Sequence, residues 1–167
     1  MAIKLEQPAI LFILMLFPFL SSTTTINTTS LTAYEVMETY NFPIGLLPEG
    51  CLGYDLDRST GKFAAYLDGE CQFSLEGSYD LKYDSTISGY ISEGKLSSLQ
   101  GVSVKILFFW INIIEVTREG DNLKFSVGIA SASFPIYNFF ICPKCGCGVD
   151  CVNGGKKGTG MKLRSEI

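Results

Sequence analysis

The sequence contains no histidine, and this absence removes several common kinds of active site. A chain without imidazole cannot build a Ser/His or Cys/His nucleophile pair, an imidazole general base or a histidine-ligated metal site. Charged residues are also scarce, at 18% of 167 residues, against a usual value of about 25%. Because 47% of the residues are hydrophobic and 13% aromatic, we expect one folded domain.

The sequence also lacks an apolar run long enough to span a membrane. Residues 9–20 form an apolar block of twelve residues, whereas a spanning helix needs about 20. A short apolar block that follows Lys4 and precedes serines and threonines is typical of a secretory signal peptide. We therefore expect a signal peptide over residues 1–22 and a secreted protein, with an uncleaved membrane anchor as the alternative. The polar leader, residues 23–30, places Asn27 in an N-glycosylation sequon.

The six cysteines agree with export, because an even number behind a signal peptide favours disulfides. All six are disulfide candidates, and the 15 pairings stay open. If the Asp68-Gly69 pair forms a hairpin, Cys51 and Cys71 lie about two strand spacings apart, beyond disulfide reach. The alternative is a zinc site in the cluster near the C-terminus, because four thiols can close a tetrahedron; the cluster contains Cys142, Cys145, Cys147 and Cys151.

The body, residues 31–152, predicts one short helix followed by strands. Thr32 and Glu35 have the spacing of a capping box for a helix over residues 33–40, and an apolar connector follows over residues 42–50. Period-2 patterns then predict half-buried strands, with hairpin or turn signals at residues 68–69 and 119–121; the strands cover residues 62–67, 71–76, 79–84, 87–92 and 122–129. The class is mainly β, a single-domain antiparallel barrel or curved sandwich with one short N-terminal helix.

Residues 102–116 stand apart because both faces of the predicted strand are apolar at its centre. A strand of about fifteen residues is expected to bend or bulge. It is either the central core strand or a strand that lines a cavity or surface for an apolar ligand such as an acyl chain. The candidate ligand contacts are Leu107, Phe109, Trp110 and Ile111, with Phe109 and Trp110 on opposite faces.

Charge argues against nucleic acid as a partner. Residues 31–152 contain eight Lys and Arg and fifteen Asp and Glu, a net charge of −7, whereas binding to phosphates needs cations. The last residues, 153–167, have a net charge of +3 and are predicted to form a flexible basic tail. This tail is either a solvated end or a contact for a membrane surface or cell-wall polymer.

Several motifs resemble the plant family called domain of unknown function 538. The most specific is the block YEVMETYNFPIGLLP at residues 34–48. Supporting motifs follow in order over residues 33–142; they are Tyr54-x-Leu56, Gly61-x-Phe63, Cys71-x-Phe73, Ile87-Ser-Gly89, Leu99-x-Gly101-Val-x-Val-Lys105, Trp110, Phe125-Ser-Val-Gly128 and Phe134-Pro135. The cysteine cluster resembles the ending of the secreted branch of this family.

The resemblance implies a small, secreted, β-rich plant protein associated with stress responses. The family has been likened to the lipid-binding halves of the bactericidal/permeability-increasing protein, and ester hydrolysis has also been proposed for it. We expect a non-catalytic module that binds a lipid or other amphiphile, or associates with a surface, and needs no cofactor or metal.

Two alternatives remain open. The first is a weak ester hydrolase that uses paired acids, such as Asp55 and Asp57, or a serine with Lys82, Lys95 or Lys105, although no G-x-S-x-G or S-x-x-K motif occurs. The second is a disulfide-stabilised structural or interaction protein of the cell wall, which needs no pocket.

Overall fold

A computed structural model of the chain describes residues 30–74 and 79–147. The predicted signal peptide, the Asn27 sequon, Cys151 and the basic tail lie outside these residues. In the part that is described, no helix is both long enough and apolar enough to cross a membrane.

Helix α1 (Ala33–Thr39) begins where the sequence predicts it, because Thr32 and Glu35 form a reciprocal capping box. The Thr32 backbone nitrogen donates to the Glu35 carboxylate at 2.7 Å, and the Glu35 backbone nitrogen donates to the Thr32 hydroxyl at 3.2 Å. Asn41, just beyond the helix, has a φ of 65° in the left-handed region. The inner side of the helix, represented by Met37, belongs to the same apolar core as the strands.

Nine strands follow in a single antiparallel sheet, which confirms the predicted mainly β class. The bounds are β1 Cys51–Leu56, β2 Lys62–Leu67, β3 Cys71–Ser74, β4 Asp80–Ser92, β5 Lys95–Ile106, β6 Phe109–Asn112, β7 Glu115–Glu119, β8 Asn122–Ser126 and β9 Ser131–Pro135, with 3-10 helices at Ile44–Leu46 and Ile136–Phe139. The strand order is β1-β2-β4-β5-β7-β8-β9, with β3 also paired to β4 and β6 also paired to β5. The sheet is not closed, since no pairing joins β1 to β9 among the described residues.

The hairpin predicted at Asp68-Gly69 is wrong. Strand β2 pairs with β4 through residues 62–66, and β3 pairs with β4 through residues 71–74. Both strands run antiparallel to β4, so residues 68–69 bend one interrupted strand instead of reversing it. The two short strands predicted over residues 79–84 and 87–92 are in fact the single strand β4, whose thirteen residues accommodate both partners.

The single strand predicted over residues 102–116 is also wrong. Strand β5 ends at Ile106, the chain turns at Leu107 and Phe108, and β6 returns antiparallel with Ile106 opposite Phe109. Hairpin turns of two residues are usually recognised by Gly, Asn or Asp, because these residues tolerate positive φ. The Leu-Phe turn contains none of these residues, so the sequence does not predict the reversal.

Strands β4 and β5 bend together near Gly101. Tyr83 pairs with Val102 and Ser88 pairs with Gln100, so five steps along β4 correspond to two along β5, and a bulge lies between them. Gly101 has a φ of 82°, and a Cβ there would overlap the carbonyl oxygen of Thr86. The bend requires glycine for both its φ and its lack of a side chain.

One disulfide joins β3 to the segment after the last 3-10 helix. Cys71 is bonded to Cys145, and the Gly146 backbone nitrogen donates to the Gln72 carbonyl oxygen at 2.7 Å. The bond confirms disulfide chemistry in the C-terminal cluster and removes Cys145 from the alternative four-thiol zinc site. Within residues 30–74 and 79–147, no group of metal-binding side chains comes together.

We expect Gly101→Ala to destabilise the fold by about 2–5 kcal/mol, the combined cost of left-handed φ and backbone displacement. Gly50→Ala is the matched control, because Gly50 has a similar φ of 88° but open space around its Cβ position. That control is expected to cost about 1–2 kcal/mol. Urea unfolding measures both values, and equal losses would contradict the close approach to Thr86.

We expect the Cys71→Ala/Cys145→Ala double variant to lose about 2–4 kcal/mol in urea unfolding. The bond closes a loop over a sequence separation of 74, which restricts the unfolded chain. Cys51→Ala, which removes a free thiol, serves as the control for loss of a cysteine. A double variant as stable as the parent chain would contradict a stabilising bond.

Candidate functional site

An apolar cavity of about 260 Å³ lies inside the curved sheet. Its wall comes from β2, from both halves of β4 and β5, from β7, β8 and β9, and from α1 and the 3-10 segments. Apart from Ser131 the lining residues are hydrophobic or aromatic, and none is charged; they are Met37, Leu46, Leu47, Phe63, Tyr79, Leu81, Tyr83, Ile87, Leu96, Leu99, Val102, Val104, Ile106, Ile113, Val116, Phe125, Val127, Ala130, Ser131, Ala132, Phe134 and Phe139.

Aromatic rings form one side of the cavity. Phe134 meets Tyr79 edge to face at 5.8 Å between ring centroids and Phe125 at the same distance, and Phe125 lies 5.4 Å from Phe139. Such contacts hold large rings in fixed positions. The rings therefore link the start of β4 to β8 and β9 across the cavity.

Residues 127–130, which connect β8 to β9, lie at the opening of the cavity. The Val127 backbone nitrogen donates to the Ala130 carbonyl oxygen at 3.0 Å, which closes this loop. Ala130 and Ser131 line the cavity and are also exposed, so the cavity reaches solvent here. Polar backbone groups of the loop are thus available at the mouth, whereas the interior is apolar.

Tyr83 is the buried polar side chain of the cavity wall. Its hydroxyl donates to the Leu46 carbonyl oxygen at 3.2 Å, so the phenol is satisfied. Burial raises the pKa of Tyr83 well above its ordinary value, so the phenol stays neutral. It therefore places no charge inside the cavity.

The four predicted ligand contacts do not line this cavity. Leu107 occupies the turn after β5, and Phe109, Trp110 and Ile111 belong to β6. Leu107, Phe109 and Trp110 are exposed, and Ile111 is partly buried. Their contact with a ligand stays a prediction, at a surface rather than a wall. Ile106, directly before them, does line the cavity.

The acidic pair considered for ester hydrolysis forms polar contacts at the surface. Asp55 accepts a hydrogen bond from the Tyr66 hydroxyl at 2.6 Å. Asp57 accepts from the hydroxyls of Ser59 and Thr60, and these bonds lower the pKa of Asp57 to about 2. An acid of this strength holds no proton to donate at neutral pH.

The three lysines considered for a Ser/Lys pair are ion-paired outside the cavity. Lys82, Lys95 and Lys105 each place Nζ 2.8–3.3 Å from a carboxylate oxygen. Cys142 offers no activated nucleophile either, because burial raises the pKa of its thiol to about 11. None of these candidate acids and lysines lines the cavity, nor does this thiol.

A small antiparallel β protein with an uncharged apolar cavity is the class that the fold and the site define. The family model described as "Protein of unknown function, DUF538" matches residues 33–140, and the chain belongs to this family. The match confirms the resemblance drawn from the residue 34–48 block. The chain is 25% identical over 95 residues to "Uncharacterized protein At5g01610" of Arabidopsis thaliana, which covers 57% of this chain and 55% of that protein. The matched part of this chain thus spans about half the length of the Arabidopsis relative.

We expect Ala132→Leu to raise the free energy of unfolding by about 0.5–2 kcal/mol, because added methyl groups fill the cavity. Ser133→Leu is the matched control, since it adds the same side chain one residue along β9, where the position does not line the cavity. Urea unfolding distinguishes the two variants. Destabilisation by Ala132→Leu that exceeds the change in Ser133→Leu would show that no space is available there.

Proposed function

We propose that this protein is a secreted module that binds an amphiphile. The observation that carries the proposal is the cavity, which is lined by apolar side chains without a charge and opens beside residues 127–130. The apolar part of the ligand lies among the aromatic rings. Its polar end lies at the opening, where backbone groups and solvent can hydrate it.

The size of the cavity supports a ligand. The cavity has a volume of about 260 Å³ and reaches solvent beside residues 127–130. A ligand that fills it gains dispersion contacts with the apolar side chains of the lining. A cavity of about 150 Å³ already accepts a benzene-sized molecule, so this one takes a ring or part of an acyl chain.

The cavity favours binding over the alternative of a structural protein of the cell wall, which needs no internal space. The uncharged lining also favours holding a ligand over hydrolysing one, since ester hydrolysis requires a nucleophile or base beside the bound substrate. Secretion is supported by the apolar block at residues 9–20 and by the Cys71–Cys145 bond, because disulfides persist in oxidising compartments.

Ligand binding is tested with the full chain produced in a secreting host. We expect a fluorescent fatty acid to bind, and unlabelled fatty acids of 8–16 carbons to displace it. Ala132→Leu should weaken binding at least tenfold because it fills the cavity, whereas Ser133→Leu should stay within twofold of the parent chain. Equal affinities in all three proteins, or no binding at all, would contradict the proposal.

A further inference from the structure

The hairpin between β5 and β6 ends in four consecutive exposed apolar residues, which we call the apolar tip. They are Leu107, Phe108, Phe109 and Trp110, with exposed fractions of 81%, 88%, 70% and 41%. No charged residue occurs from Ile106 to Ile114. Monomeric proteins rarely expose contiguous apolar surface of this kind unless it makes a contact.

The turn itself is unfavourable, which indicates that its side chains serve a purpose beyond the fold. Leu107 has a φ of 57°, a conformation that glycine, asparagine or aspartate adopts at lower cost. Any of these residues in place of Leu107 would also avoid the exposure of a leucine side chain to water. Sequences that break a local rule in this way do so mainly at functional positions.

The apolar tip adjoins the lining of the cavity. Phe109 pairs with Ile106, which lines the cavity. Beyond the end of β6, the Ile114 backbone nitrogen donates to the Ser126 carbonyl oxygen at 2.9 Å, next to the loop at residues 127–130. That loop carries Ile129, which is 95% exposed. The hairpin and the loop are thus both joined to the cavity lining, and both carry exposed apolar side chains.

A lipid bilayer is the partner that fits this surface. The tip lies at the end of a hairpin, and its only polar side-chain atom is the indole nitrogen of Trp110, so a deformable apolar layer with a polar boundary can accommodate it. Phenylalanine and tryptophan also partition well to the boundary between lipid and water. The body has a net charge of −7, which opposes electrostatic attraction to anionic lipids. The contact therefore depends on insertion of the tip rather than on charge.

We propose that the apolar tip inserts into the surface layer of a lipid bilayer and brings the cavity opening against it. This inference rests on the proposed function, because it identifies membrane lipids as the source of the amphiphile. Ile106 connects the inserted side chains to the cavity wall, so it offers an acyl chain an apolar contact between membrane and cavity.

The test measures binding of the full chain to phosphatidylcholine vesicles by flotation. Phe109→Ser should reduce binding at least tenfold. Leu52→Ser is the matched control, because Leu52 on β1 is also 70% exposed but lies away from the hairpin, and it should stay within twofold of the parent. Binding should persist in 0.5 M salt. Trp110, the single tryptophan, should shift its fluorescence to shorter wavelength and be quenched by brominated lipid.

Several outcomes would overturn the proposal. Equal binding by Phe109→Ser and Leu52→Ser, loss of binding in salt, or unchanged Trp110 fluorescence would each exclude insertion of the tip. A concentration-dependent dimer that Phe109→Ser abolishes would assign the tip to a second copy of the chain instead. Urea unfolding of both variants checks that these exposed substitutions leave the fold intact.

A second pair of measurements separates this proposal from the proposed function. Ala132→Leu should lose the fluorescent fatty acid but still bind vesicles, because it leaves the tip unchanged. Phe109→Ser should bind the fatty acid presented in solution but not vesicles. If the chain binds vesicles but not the fatty acid, the cavity proposal fails while the tip proposal stands. If it binds the fatty acid but not vesicles, only the tip proposal fails.

Discussion

The antiparallel pairing of β4 with β5 supports almost every other part of the sheet. Strands β2 and β3 attach to β4, and strands β6 and β7 attach to β5. Because the two central strands contain thirteen and twelve residues, each is long enough to hold two partners in succession. The close approach of Gly101 to Thr86 lets both strands bend at the same position. The β4–β5 pair therefore has two halves, and each half has different neighbouring strands.

This bend explains why the interior is not filled. Side chains from both halves, such as Leu81 and Ile87 on β4, face one space that β8 and β9 border from another side. Aromatic contacts such as that between Tyr79 and Phe134 span part of this space. A cavity of about 260 Å³ nevertheless remains unfilled. The second half of β5, which lines the cavity through Val102, Val104 and Ile106, continues into the exposed hairpin. Internal and external apolar surfaces therefore adjoin.

Local signals in the sequence predict the helix, strands β2, β3 and β8, and the mainly β class. The capping box at Thr32 and the alternation around Phe63, Phe73 and Leu123 depend on neighbours within a few residues, so they can be recognised from sequence alone. The path of the chain at residues 68–69 cannot be recognised in this way, because it depends on the length of β4, which comes later in the chain. The Leu-Phe turn was hidden because its residues favour an extended strand.

The cavity was beyond prediction for a different reason. Alternation identifies Val104 and Phe125 as members of inward-facing sets, but it cannot tell whether opposite side chains meet across the core. The candidate contacts from residues 107–111 rest on the two-sided apolarity of that stretch. The β5–β6 hairpin places these residues outside the cavity. Ile106, which precedes them, lines the cavity and marks the boundary between its lining and the exposed apolar tip.

The position of the disulfide has a consequence for the order of assembly. Cys71 lies on the third strand, and its partner Cys145 follows the ninth, with six strands between them. During synthesis from the N-terminus, the thiol of Cys71 has no access to Cys145 until those strands have been made. Oxidation can then join the two residues only in chains whose intervening strands bring them together. A reduced Cys71 therefore marks a molecule whose last described segment has not yet been joined to β3.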